Sequence, residues 1–180
     1  MILAAIGVVL LGWLALTFNR FIRLRQLLRE AWSGIEVQLK RRHDLIPQLV
    51  EAVKGYRDYE QRLLEHITEL RARCLSIEQI KPRGEAETEL SHELKSFLAI
   101  AEAYPDLKAN EQFLNLQRTL ASVEDDIQLA RRYYNGTVRD FNVEVESFPS
   151  LLVAKAWGFR LADYFELESA TEGSVPTVKL

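Results

Sequence analysis

The sequence is poor in the residues that staple, turn or break a chain. A single cysteine, Cys74, stands among 180 residues, which excludes an intrachain disulfide framework and any zinc site built from several thiolates. Eight glycines and five prolines leave too few turns for a sandwich or barrel of short strands. No segment alternates apolar and polar residues between turn signals, so no strand is expected. The three histidines, His43, His66 and His92, fall on separate segments and read as exposed polar positions. A net charge of −3 removes the global basic field that would recommend a nucleic-acid partner. P-loop, Gly-x-Ser-x-Gly and Gly-x-Gly-x-x-Gly motifs are missing, and with them the commonest phosphate, ester and dinucleotide chemistries.

What remains is apolar helix followed by amphipathic helix. Residues 1–18, MILAAIGVVLLGWLALTF, carry no side-chain charge, and Asn19 and Arg20 end the run. As a helix this stretch spans roughly 27 Å, close to a hydrocarbon core of about 30 Å. It lacks the basic leading region and small-x-small cleavage site of a signal peptide, so residues 1–19 are read as a retained transmembrane anchor. Trp13 and Phe18 lie toward the charged end, where interfacial aromatics gather. Arg20, Arg23, Arg25 and Arg29 follow closely, and the positive-inside rule then places the body in the cytoplasm. The same arginines are placed to meet anionic headgroups, at about 1 kcal/mol each.

Beyond the anchor, Leu24, Leu28, Trp32, Ile35 and Leu39 recur in steps of three and four, so the helix carries on. A second stripe runs Leu49, Val53, Tyr56, Glu60, Leu63, Ile67, Leu70, Cys74, Ile77, a heptad seam broken only by Glu60. The stretch SIEQIKPRGE, with Pro82 and Gly84, reads as a loop. Leu90, Leu94, Phe97, Ala101 and Tyr104 form a third stripe that Pro105 stops. Asp106 or Asn110 can cap the next element. There Phe113, Leu120, Ile127, Tyr134, Phe141 and Phe148 recur every seven residues, with a drift toward Val138 and Val145 that a nearly straight helix imposes. Ser150 is placed to cap a short helix closed by Gly158. The expected fold is all-α: an N-terminal transmembrane helix continuous with an elongated antiparallel bundle of about four helices over residues 20–168. Residues 169–180 lack periodicity and read as a disordered tail.

Candidate chemistry is sparse. A di-metal bundle needs two Glu-x-x-His pairs, and only Glu89 and His92 make one, so no metal or other cofactor is assigned. Cys74 lies on the apolar stripe, where core packing is its expected role. Glu60, a carboxylate in a heptad seam, must be paired or near an opening, with Arg131 or Arg132 as possible partners. In RRHDLIPQLV (residues 41–50), Asp44 either caps a new helix with Pro47 in its first turn, or the helix is continuous and Pro47 kinks it. Tyr134 belongs to the seam by period, while Asn135 and Asn142 lie one step off it, where they can hydrogen-bond across helices.

These segments resemble the LemA family of bacterial membrane-anchored proteins. The resemblance rests on AWSGIEVQLKRRHDLIPQLVEAVKGY, AEAYPDLKANEQFLNLQ and ARRYYNGTVRDFNVEVESFP, and covers nearly the whole chain to about Glu168. It implies one transmembrane helix in a bacterial inner membrane, a helical body, and a membrane-organising or adaptor role, by analogy with a relative associated with magnetosome membranes. It carries over no catalytic residue. Arg41, Arg42, Asp44, Pro47, Glu60, Tyr134, Asn135 and Asn142 become structural or interaction positions. Gln48 stands where the family commonly has Asn, and Tyr59 where His usually precedes the glutamate, which weakens any His-Glu site at Glu60. The expected partners are the lipid bilayer, further copies of the chain and an unidentified protein.

Overall fold

The computed structural model describes residues 1–54, 61–101 and 104–166. Every regular element among them is a helix: α1 (Ile2–Val53), α2 (Gln61–Ser76), α3 (Ile80–Ala101), α4 (Pro105–Lys108), α5 (Glu111–Glu146) and α6 (Ser150–Trp157). Glu60 and the tail from Ser169 lie outside the described residues. The chain divides into two compact units, one of residues 1–36 with 129–164 and one of residues 37–128 with the segment from Phe165. Segments of α1 and α5 contribute to both.

The first unit begins with the apolar start of α1, whose 18-residue apolar window is almost wholly exposed and is long enough to cross a membrane. Further along α1, Phe21, Ala31 and Ile35 are buried, as are Tyr134, Val138 and Phe141 on α5. Arg20 pairs with Glu144, and the rings of Trp32 and Tyr134 lie 5.5 Å apart. The two segments therefore run antiparallel. The seven-residue repeat of α5 holds as far as Phe141, and the drift to Val138 and Val145 is observed. It fails at Phe148, which is exposed because the helix ends at Glu146.

Ser150 does not cap α6. It sits inside that helix, and its hydroxyl shares one proton between the carbonyls of Glu144 (2.8 Å) and Ser147 (2.9 Å). Gly158 closes α6 in the left-handed conformation expected of it (φ 71°). The chain then returns across the unit as FRLADY, with Phe159 stacked on Phe21 at 4.6 Å. Asn142 clamps both backbone groups of Ala162, and the Tyr134 hydroxyl donates to the Asp163 carbonyl at 2.9 Å.

In the second unit α2 and α3 form an antiparallel pair, with Arg73 bonded to Glu89 at 2.8 Å. Their connection is only residues 77–79, so the loop expected around Pro82 and Gly84 is helix instead. Pro82 is the third residue of α3, where an amide has no acceptor within the helix; the first ladder bond comes from Arg83, to the carbonyl of Gln79 at 3.0 Å. Gly84 is there for a close approach, since a Cβ would stand 2.5 Å from the Glu166 carbonyl oxygen. Tyr104 is extended before Pro105, and Asn110 caps α5 by accepting from the Phe113 amide at 3.1 Å.

Helix α1 passes through Pro47 without a break. The proline has no N–H for the carbonyl of His43, four residues back. Arg71 of α2 supplies the missing donor, its Nε 2.7 Å from that oxygen. Gln48 reaches back to the carbonyl of Asp44 at 3.2 Å. The continuous-helix reading therefore holds, Asp44 is an exposed residue inside α1 rather than an N-cap, and Pro47 frees an acceptor that docks α2.

Candidate functional site: a buried charged cluster

Because α1 is continuous, its core-facing positions in the second unit run Leu39, Arg42, Ile46, Leu49, Val53, all buried. Arg42 thus occupies a seam position. On α3 the stripe Ala101, Phe97, Leu94, Leu90 extends one step further back to Glu87, also fully buried. On α2 the stripe ends at Cys74. Three helices so deliver an arginine, a carboxylate and a thiol to one place, with His43 beside them.

Arg42 is the hub. One terminal nitrogen, Nη2, bonds the Glu87 carboxylate. The other, Nη1, reaches Glu124 Oε1 at 2.8 Å and Ser91 Oγ at 2.5 Å. His43 Nε2 stands 3.2 Å from the same Glu87 carboxylate, so His43 is a buried member of the cluster and not the exposed polar residue expected. His66 and His92 are exposed, as expected. Arg41 turns outward to Asp126 at 3.2 Å.

Burial alone would drive the Arg42 pKa down, but Glu124 and Glu87 outweigh it and the guanidinium is held charged above its usual value. Burial likewise pushes Glu87 up, yet the hydrogen bond from His43 and the charge of Arg42 hold it below its usual value. At Cys74 the lowering charges of Arg42 and Arg73 are outweighed. Burial and the neighbouring Glu87 push its thiol up to about 12, so it stays protonated and is a poor nucleophile.

The ligand atoms of His43, Cys74 and Glu87 lie within 4.8 Å of one another, a donor set of the kind zinc takes. The surroundings fit a cation badly. Arg42 already bonds one carboxylate oxygen, Oε2, and places a full positive charge beside the other. His43 Nδ1 has no partner, whereas a metal-bound histidine usually has its second nitrogen held. What the arrangement does well is neutralise charges against one another and fix the register of α1, α3 and α5.

The other expected residues have separate fates. Arg23, Arg25 and Arg29 are exposed on α1, with the Arg25 guanidinium 5.5 Å from the Phe159 ring centre. Tyr134 is buried and Asn142 half-buried, and both bond the returning segment; Asn135 is half-buried on the same turn as Tyr134. Glu87, Glu124 and Ser91 were not expected. Glu87 could have been found by carrying the α3 stripe back one heptad from Leu94, had Pro82 and Gly84 not suggested a loop.

A helix long and apolar enough to cross a membrane, followed by packed helices with a buried ion-paired cluster, defines an all-helical protein with one candidate membrane span. The chain belongs to the LemA family, whose model matches residues 31–180. It is 26% identical over 166 residues to "Protein LemA" of Metamycoplasma hominis, covering 90% of this chain and 74% of that one. It is 22% identical over 207 residues to "Magnetosome protein MamQ 2" of Paramagnetospirillum magneticum, covering 100% of this chain and 76% of that one. "Magnetosome protein MamQ" of Magnetospirillum gryphiswaldense is 21% identical over 193 residues, covering 93% and 71%.

Proposed function

We propose that the chain is a membrane-anchored helical scaffold or adaptor that works through self-association and through protein and membrane contacts, not through catalysis. The observation that carries the reading is the exposed apolar start of α1, where Leu3, Val8, Val9, Leu11 and Leu16 all face outward. Such a surface has the length and composition that a bilayer covers. The cluster at Arg42 supports the non-catalytic part, because its charges are bonded to one another and its thiol is held protonated. The magnetosome names of two relatives support work at a membrane. The membrane is read as a bacterial inner membrane with the body on the cytoplasmic side, from the four arginines after the anchor.

Crosslinking in native membranes, followed by mass spectrometry, tests this reading. It predicts adducts between copies of the chain and reproducible adducts to at least one other protein. A strictly monomeric chain with no protein adducts would sink it. Recovery of one membrane protease as the sole partner would replace it with an accessory-subunit role. Protease added to spheroplasts tests the orientation: a cytoplasmic body stays intact until the membrane is lysed.

A further inference from the structure

We propose that the corner joining α5 to α6 lies in the bilayer interface as a second membrane contact, with Phe148, Leu152 and Trp157 seated at the boundary between headgroups and acyl chains. This rests on the reading of residues 1–18 as membrane-spanning. Four observations within the first unit converge on it.

The first is depth. An open groove is walled on one side by Trp13, Leu16, Thr17 and Arg20 of α1 and on the other by Val143, Glu144 and Phe148. Apolar groups toward residue 13 give way to an ion pair at residue 20, as at a membrane boundary. Trp157 meets Phe18, the last residue of the uncharged run, with ring centres 5.7 Å apart. A side chain beside residues 13–18 stands within about 8 Å of the anchor's charged end, inside or at the edge of whatever bilayer holds α1.

The second is exposure. Phe148 is 81% exposed, Leu152 58% and Trp157 50%. Three large apolar groups at one corner, continuous with the exposed flank of α1, form a surface suited to lipid. A tryptophan at this level matches the aromatic belt at membrane interfaces.

The third is polarity. A backbone close to the hydrocarbon edge is favoured when its amides and carbonyls are bonded internally. Much of the corner is: the Ser147 amide donates to Val143, Leu151 to Ser147 and Leu152 to Pro149. The Ser150 hydroxyl takes the carbonyls of Glu144 and Ser147, and the Gly158 and Phe159 amides both bond Ala154.

The fourth is charge. Lys155 and Arg160 are exposed and outnumber the exposed Glu146, while Arg20 is neutralised by Glu144, so the corner offers cations where headgroup phosphates would be.

The test uses the full chain in phosphatidylcholine vesicles whose acyl chains are brominated near the headgroup. The chain has three tryptophans, Trp13, Trp32 and Trp157, and three variants each keep one of them, with phenylalanine at the other two. Trp157 is expected to be quenched about as strongly as Trp13 and several-fold more than Trp32, which packs against Tyr134. A Phe148→Trp reporter in the tryptophan-free background should respond like Trp157, at a position whose replacement disturbs no core. Quenching of Trp13 but not of Trp157 or the Phe148→Trp reporter would overturn this inference and leave the anchor standing. No quenching of Trp13 would overturn both.

Discussion

In the first unit Phe21, Tyr134 and Phe141 fill the seam, a tyrosine hydroxyl and an asparagine amide bond backbone, and the buried carboxylate of Glu144 pairs with an Arg20 that stays largely in solvent. In the second unit Arg42, Cys74 and Glu87 take equivalent seam positions, and two of the three carry full charges with no solvent around them. The same heptad logic builds both. The difference is what happens when one partner is removed. A neutral pair loses a hydrogen bond, whereas a buried ion loses its counter-charge and cannot recover hydration.

The largest effect should follow from breaking that pairing. Arg42→Met or Glu87→Ala is expected to cost about 3–5 kcal/mol by leaving one buried charge uncompensated, read as a lowered urea midpoint. Gly84→Ala comes next. Its methyl would meet the Glu166 carbonyl oxygen at 2.5 Å, at a cost of roughly 1–3 kcal/mol. In the first unit Tyr134→Phe removes a single bond to the Asp163 carbonyl, so about 1 kcal/mol is expected. Hydrogen exchange should show that loss in residues 129–164, with the second unit's amides unchanged.

Acid should also separate the units. The Glu87 pKa lies below its ordinary 4.5. Its contribution is therefore present above that value and is lost as the pH falls through the depressed one. Amides of α3 are expected to lose protection in acid before those around Tyr134. Alkali should not separate them so cleanly. The Cys74 thiol moves from 9.0 to about 12 and the Tyr134 hydroxyl from 10.0 to about 12, so both contributions fade as the pH rises from those ordinary values toward 12.

The smallest predicted effect concerns Pro47. Removing a proline from an exposed helix interior ordinarily gains about 3 kcal/mol. Here Pro47→Ala should gain clearly less, because Arg71 already satisfies the His43 carbonyl. In that background Arg71→Ala should be milder than in the native chain, since the new amide can take over. Equal costs of Arg71→Ala in the two backgrounds would contradict this account of the joint.

Much of this was legible from spacing alone. The apolar run, the α5 repeat through Phe141, the stop at Pro105, the Asn110 cap and the Gly158 terminus all follow from local rules that tertiary context did not override. The charged cluster was hidden for two reasons. Reading a possible start at Asp44 cut the α1 seam just where Arg42 continues it. Reading Pro82 and Gly84 as a loop removed the turn that carries Glu87. Proline was tolerated in both places because a missing amide matters little in a first turn or where another helix supplies the donor. Ser150 looked like a cap, yet its hydroxyl is used by the end of the preceding helix, a choice no short motif encodes.

The most direct test of the claim that the buried cluster is a structural lock is a double-mutant cycle on Arg42 and Glu87, read by urea unfolding with and without added zinc. The account predicts that Arg42→Met with Glu87→Met recovers most of the stability lost by either change alone, and that zinc leaves the native midpoint where it was. A double variant as unstable as the two single losses summed, or a native chain markedly stabilised by zinc, would contradict it.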